Sequence, residues 1–374
     1  MRLIEAGLLV FLALASNILP VFRLPRPTGP FPVGTVTQTL DGEGSLAPQI
    51  WYPAAPTARA RAAPYEPATS GWRNWVFRHV RTDALQDAPL AAGTDRFPVL
   101  IYVNGWDGTR WENSALMQEL ASHGYVVAAS DQPGGVVDST DLSTPWDTSS
   151  QIAWHRTEDV AAVKLRVQVG IARRVLDRLA ALGAESGSRF ARRLDPARAG
   201  ILGFSFGGAT AAEAATDPRF RAVVNMDGRL FGEAWRSGIT VPYLELSDDG
   251  PPPADRSNPT LAQIETSGGR QTRANLARNG GMMLTIRGTL HPNFSDYPVL
   301  VSLRRFSGGG PVDPRRAARV IDAWVVGFFD HVFKGKELPD PAQTPEAVLD
   351  VWPAPAVKSR ATIDAPAKSI VLQQ

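Results

Sequence analysis

The run Gly203-Phe204-Ser205-Phe206-Gly207 sets a serine between two glycines at a spacing that suits a sharp turn. A serine hydroxyl exposed on such a turn is a candidate nucleophile toward the carbonyl carbon of a carboxylic ester. The pattern alone is weak, since a chain with this glycine and serine content meets it by chance roughly 0.2 times, so its setting must decide. The apolar run Ala199-Gly200-Ile201-Leu202 precedes it and the small-residue run Gly207-Gly208-Ala209-Thr210-Ala211-Ala212 follows. That is the strand, turn and helix the chemistry needs. The glycines avoid Cβ clashes at a strained turn, and the hydroxyl stands at the positive end of the helix, where backbone N–H groups can receive an oxyanion. The competing interpretation is a serine in an ordinary tight turn.

A serine needs a base, and the order along the chain expected for this arrangement is serine, acid, histidine. Of the five histidines, His79, His123 and His155 precede Ser205, and His331 falls within a helical pattern. His291 lies in a loop between Gly288 and Pro292, just after the apolar run Met282–Ile286, and is the candidate base. Two acids compete. Asp227 ends the run Ala222-Val223-Val224-Asn225-Met226, and Asp248 ends Tyr243-Leu244-Glu245-Leu246. Both would sit at carboxyl ends of strands, where sites on open α/β sheets gather, and spacing does not choose between them. The second oxyanion donor is expected in Asn104-Gly105-Trp106-Asp107-Gly108, so the backbone N–H groups of Trp106 and Phe206 would face the carbonyl oxygen.

The elements that position these residues alternate strand and helix. Val99–Val103 is a continuous apolar run of the kind buried on both faces of a parallel sheet. Helices are expected over Trp111–Ser122, Thr157–Leu182, Gly207–Ala215, Asn258–Arg278 and Pro314–Phe333, with strands at Tyr125–Ala129, Ala199–Leu202, Arg221–Met226, Val241–Leu246 and Met282–Ile286. Two further strands are expected earlier, at Val33–Thr39 and Ala47–Tyr52, and Ala54–Arg96 reads as a long irregular insertion packed down by Trp72, Trp75 and Phe77. The repeated β-α order implies a mainly parallel central sheet with helices on both faces, and with the strand-turn-helix at Ser205 it points to the α/β-hydrolase fold. The Pro- and Ala-rich stretch from 340 onward is expected to wrap the surface.

The chain has 374 residues, 44% apolar and 20% charged, with a net charge of +2, which does not argue for nucleic acid. It has no cysteine, so disulfides and thiolate chemistry are excluded, and no His or acid cluster has metal-ligand spacing, so neither metal nor cofactor is implied. Arg2, the apolar stretch Leu8–Leu12 and Ala13-Leu14-Ala15 suggest that residues 1–22 are a signal peptide or an N-terminal membrane anchor, hence an exported protein, periplasmic, secreted or membrane-anchored. Residues 23–34 then read as a Pro-rich tether and 35–374 as a single domain.

Three runs resemble the secreted platelet-activating factor acetylhydrolase family. They are Gly203–Thr210 continuing to Asp217-Pro218-Arg219-Phe220-Arg221, Met283–Phe294 with Gly288-Thr289-Leu290-His291-Pro292, and Leu120–Ala129. Arg166, Gln168 and Val175–Leu179 are also similar, so the likeness covers Phe97 to Phe333. The resemblance implies Ser205 as nucleophile, His291 as base, Asp227 as acid, Trp106 and Phe206 as oxyanion donors, and short or oxidised acyl chains on phospholipids as substrate. With the Pro-rich segment, it suits an exported bacterial relative. Phe204 stands where the family often has His, Asn104 where it has His before glycine, and Trp106 where leucine is common, so substrate choice is affected more than chemistry. Trp72, Trp75, Trp146 and Trp154 could line an acyl site, touch a membrane surface or fill the core. The alternatives are a broad esterase or polyester hydrolase of the cutinase or dienelactone-hydrolase type, and a non-catalytic membrane-tethered binding module.

Overall fold

A computed structural model describes residues 23–40, 47–56, 61–65, 79–131, 145–250, 257–301 and 307–354. Residues 1–22, with the expected signal or anchor, and Trp72, Trp75 and Phe77 lie outside them.

In chain order the strands are β1 (Val33–Thr37), β2 (Gln49–Pro53), β3 (Ala62–Pro64), β4 (Arg81–Gln86), β5 (Phe97–Val103), β6 (Val126–Ala129), β7 (Leu194–Phe204), β8 (Phe220–Met226), β9 (Tyr243–Ser247), β10 (Gly281–Ile286) and β11 (Ala347–Trp352). The principal helices are α1 (Ser114–Ser122), α2 (Gln151–Ala184), α3 (Phe206–Ala214), α4 (Gly232–Ser237), α5 (Pro259–Asn279) and α6 (Pro314–Lys334). All eleven strands join one sheet in the order β11-β10-β9-β8-β7-β5-β6-β2-β1-β4-β3. Its centre, β6 to β10, is parallel, and antiparallel strands flank it at β2 and β11.

The apolar run of β5 is buried on both sides because its side chains alternate between two cores. Leu100 and Tyr102 join Leu116 and Leu120 of α1 and Trp324 and Phe328 of α6, while Val99, Ile101 and Val103 join Val175 and Leu179 of α2 and Ala211 of α3. Helices therefore cover both faces, as the α/β-hydrolase fold requires.

Several boundaries depart from the sequence expectation. Helix α2 begins at Gln151, six residues before Thr157, because the Ser150 hydroxyl caps it by accepting from the Ala153 N–H at 3.2 Å. Strand β7 extends the expected Ala199–Leu202 in both directions, since Leu194 already pairs with Phe97. The insertion expected to be irregular contributes β3 and β4, and the stretch expected to wrap the surface contributes β11 on β10. β3 and β11 are the two edges of the sheet, β3 carrying Pro64, and β4 lies just inside β3; strands at or next to an edge lack the continuous apolar signature of buried ones. The Pro-rich run after Arg23 is extended, and it lies along the domain: Leu24 is buried, its N–H donates to the Arg81 carbonyl, and the Thr28 and Gly29 N–H groups donate to Glu119 and Ser122 on α1.

Candidate active site

Register places the strand ends side by side. Val103 lies opposite Gly203, Phe204 opposite Met226, and Met226 opposite Leu246, so the residues that follow each strand emerge at one edge of the sheet. The Ser205 N–H donates to the Met226 carbonyl and the Asp227 N–H to the Leu246 carbonyl, both at 2.8 Å, which continues the ladder one step beyond the strands.

Ser205 occupies the turn between β7 and α3 with φ 57° and ψ −125°, a strained backbone for a residue with a Cβ. The turn closes only because its neighbours are bare: a Cβ on Gly203 would fall on the Gly207 carbonyl, and one on Gly207 on the Val103 carbonyl. Phe206 opens α3, so its N–H belongs to the first-turn donors that a helix leaves unpaired at its positive end.

His291 follows β10 in a single 3-10 turn fixed by Asn293, whose Oδ1 accepts from the N–H groups of Leu290 at 2.9 Å and Gly310 at 2.7 Å. Its Nε2 lies 3.0 Å from Ser205 Oγ and its Nδ1 lies 2.5 Å from Asp227 Oδ2. The Phe204 ring packs on the imidazole, 4.8 Å between centroids and tilted 33°. Burial pushes the imidazole pKa down, but the hydrogen bond and charge of Asp227, then the charges of Asp248 and Glu112, outweigh it and raise the pKa above the ordinary histidine value.

The two acids are thus separated by geometry. Asp227 meets the histidine, while Asp248 supports Asp227 through its backbone, donating its N–H to Asp227 Oδ1 at 3.0 Å. Burial, and then the neighbouring Asp227 charge, pushes the Asp248 carboxyl up to about 6. His123, His155 and His331 lie elsewhere, against Glu119, Glu158 and the Lys336 carbonyl. Among the described residues no group of three or more His, Cys, Asp and Glu could hold a metal ion.

Trp106 stands in the loop after β5, its ring edge-on to Phe206 at 4.8 Å and to Trp146 at 5.2 Å. Trp146 also meets Trp154 at 5.1 Å. Trp106, Trp154 and Phe206 are buried, so these rings pack the loop after β5 against α2, and Trp146 is the one exposed member, at 39%.

Residues outside the sequence assignment hold this loop and the turn after Asp227. Glu112 Oε1 accepts from the Gly105 N–H and from the Tyr102 hydroxyl, each at 2.7 Å, and burial pushes its carboxyl up to about 7. Asn225 secures the turn after Asp227, accepting from the Gly228 N–H at 2.9 Å and donating to the Gly228 carbonyl at 2.7 Å. From α2, Lys164 and Gln168 donate to the carbonyls of Trp106 and Asn104, at 3.0 and 3.4 Å. A signal for the last two was present in the sequence: they share the helical stripe of Ala161, Leu165 and Ala172, where polar side chains must find buried partners.

The sequence model of the family described as platelet-activating factor acetylhydrolase, isoform II, matches residues 68–167 and 186–339. A probable 1-alkyl-2-acetylglycerophosphocholine esterase of Arthroderma benhamiae is 25% identical over 378 residues, covering 88% of this chain and 93% of its own. The platelet-activating factor acetylhydrolase of Bos taurus is 27% identical over 254 residues, 60% of this chain and 54% of its own. Among solved structures, a ferulic acid esterase from Streptomyces cinnamoneus superposes with a TM-score of 0.65 at 25% identity, covering 87% of this chain and 98% of that one.

Proposed function

The chain belongs to the platelet-activating factor acetylhydrolase isoform II family and is a serine-class carboxylic-ester hydrolase, and from that premise we propose that it removes short or oxidised acyl chains from phospholipids or similar lipid esters through an acyl-enzyme on Ser205. The observation that carries the assignment of roles is the relay from Ser205 Oγ through the two nitrogens of His291 to Asp227. With Nδ1–H donating to Asp227, Nε2 is left to accept the Ser205 proton as Oγ attacks the ester carbonyl carbon. The carbonyl oxygen takes the negative charge and is met by the N–H groups of Trp106 and Phe206. The imidazolium then gives its proton to the departing alkoxide, the C–O bond breaks and the acyl group stays on Ser205. Water, losing its proton to Nε2, repeats the attack and frees the acid.

Support for a lipid ester comes from the relatives, named for acetylglycerophosphocholine and platelet-activating factor. The ferulic acid esterase likeness favours a second reading, a broad esterase that also accepts esters of ferulic acid. Export of the chain is supported by Arg2 and the apolar run that follows it. Among the described residues no helix is long and apolar enough to cross a membrane.

The test is turnover of an acetylated phospholipid, p-nitrophenyl esters and polyester film, with labelling by a fluorophosphonate. Wild-type protein should label and should turn over the phospholipid with the highest kcat/KM. Ser205→Ala should lose labelling and at least about 10^4-fold in kcat. Full activity in Ser205→Ala would remove the nucleophile, and a preference for methyl ferulate, added to the panel, or for polyester over the phospholipid would establish the second reading.

A further inference from the structure

The oxyanion loop is held from α2, and one of the two side chains that hold it is a buried cation. The Lys164 side chain is 2% exposed. Its Nζ donates to the Trp106 carbonyl at 3.0 Å and stands 4.2 Å from the centre of the Trp106 ring. Its one carboxylate neighbour among the described residues is Asp107 at 3.5 Å, whose own side chain is 73% exposed. Around it Trp106, Ala161, Leu165 and Phe206 form an apolar cluster. An ammonium group is costly in such surroundings and burial lowers its pKa, whereas an apolar side chain of the same length would fill the space at less cost. Packing therefore does not account for a lysine here.

Its contacts converge on one residue. The ammonium pins the Trp106 carbonyl and lies over the face of its ring, while Glu112 holds the preceding Gly105 N–H. The peptide carrying the Trp106 N–H lies between these two anchors. Gln168, one turn along from Lys164, donates to the Asn104 carbonyl and accepts from Thr210 on α3, so the same stretch of α2 ties the loop to the helix that begins beside Ser205.

We propose that Lys164 is a positioning residue for ester hydrolysis, fixing Trp106 so that its backbone N–H meets the oxyanion and placing a positive charge behind the loop. The inference rests on the assignment of Trp106 and Phe206 as oxyanion donors. Charge on the substrate oxygen develops in the transition state and is small in the bound ester, so the contribution appears in kcat and leaves KM nearly unchanged.

The variant to make is Lys164→Met, which keeps the stem and removes the charge and the donor. Its kcat for the acetylated phospholipid, per site titrated with fluorophosphonate, should fall roughly 10- to 100-fold, the range expected when a reacting group is slightly misplaced. KM should stay within about twofold, and the melting temperature should equal or exceed that of the wild type, because an apolar group replaces a desolvated cation. Lys164→Arg should recover part of the lost kcat. A merely structural lysine would give the reverse, a lower melting temperature with kcat per site unchanged, and that result overturns the proposal. So does a rise in KM at constant kcat. If Lys164→Met does not fold, Lys164→Gln is judged by the same criteria, and failure of both to fold also overturns it. Wild-type labelling and Ser205→Ala serve as reference: if those two fail, the assignment of the site is at fault, and if they behave while Lys164→Met keeps full kcat, only this inference falls.

Discussion

Three carboxyl groups bear on His291, and they set the pH at which it can act. Burial opposes protonation of the imidazole, but Asp227, Asp248 and Glu112 together raise its pKa above the ordinary value of about 6.5. A general base must be neutral, so kcat/KM is expected to fall as pH drops through that raised value, with the acid limb centred above about 6.5. Replacing Asp248 by Asn removes one of the charges holding the proton, so the limb should move to lower pH. Turnover near pH 8 should stay within about tenfold of the wild type, because Asp248 supports Asp227 through its backbone N–H. Asp227→Asn places an amide against Nδ1 and should cost about 10^4-fold in kcat. A pH profile of all three proteins checks this, and loss of turnover in Asp248→Asn with retention in Asp227→Asn would exchange the two acids. Chain order and the loop after β10 single out Ser205 and His291 in the sequence, and the structure sets His291 Nε2 3.0 Å from Ser205 Oγ. Asp227 was not legible from spacing, since both acids end adjacent strands, and the family likeness alone favoured it. What separates them in the structure is the Asp227 carboxylate at Nδ1, a contact between residues 64 positions apart that no local pattern encodes.

At the scale of elements, the site depends on how tightly β7 turns into α3. The Gly207 Cα lies so close to the Val103 carbonyl that no side chain fits, which couples the Ser205 turn to the end of β5 and so to the loop carrying Trp106. Gly207→Ala should destabilise the fold by about 1–3 kcal/mol, the usual range for forcing extra volume into a packed site. It should also suppress ester turnover strongly, because the turn can relieve the clash only by moving Ser205 or the loop. Urea unfolding and a kcat measurement test both, and normal turnover would show that the contact is slack. Buried elements were the legible ones: Val99–Val103 falls inside β5, and the small-residue run after Ser205 is α3. Edge elements were not. β11 alternates a buried Ala347 with an exposed Val348 and places Val351 and Asp350 at the surface, so it carries little apolar signal before its partner β10 is known.

Across the whole molecule the sheet divides its labour between its two edges. The carboxyl ends of β5, β7, β8 and β9 carry the Trp106 loop, Ser205, Asp227 and Asp248, and the loop after β10 brings His291 to them. This much follows from the β-α order that the sequence displays, because parallel strands joined by right-handed crossovers must align their carboxyl ends. The two antiparallel flanks do not follow from it, and they widen the platform without entering the site. Phe190 marks the opposite edge. It is fully buried just before β7 begins, packs edge-on against Tyr52 with 5.2 Å between centroids, and belongs to the core beneath α2. β7 pairs Leu194 with Phe97 and Gly203 with Val103, so at about 3.3 Å per residue the six steps of β5 between them set the start of β7, just after Phe190, roughly 20 Å from the Ser205 turn. Phe190→Ala should therefore cost about 3–5 kcal/mol of stability through the cavity it leaves. Per titrated site, kcat should remain within about twofold, since the strand ends that carry the chemistry are held by side chains further along both cores. If kcat fell in proportion to stability, the catalytic edge would be coupled to the far edge of the sheet, and the division between them would not hold.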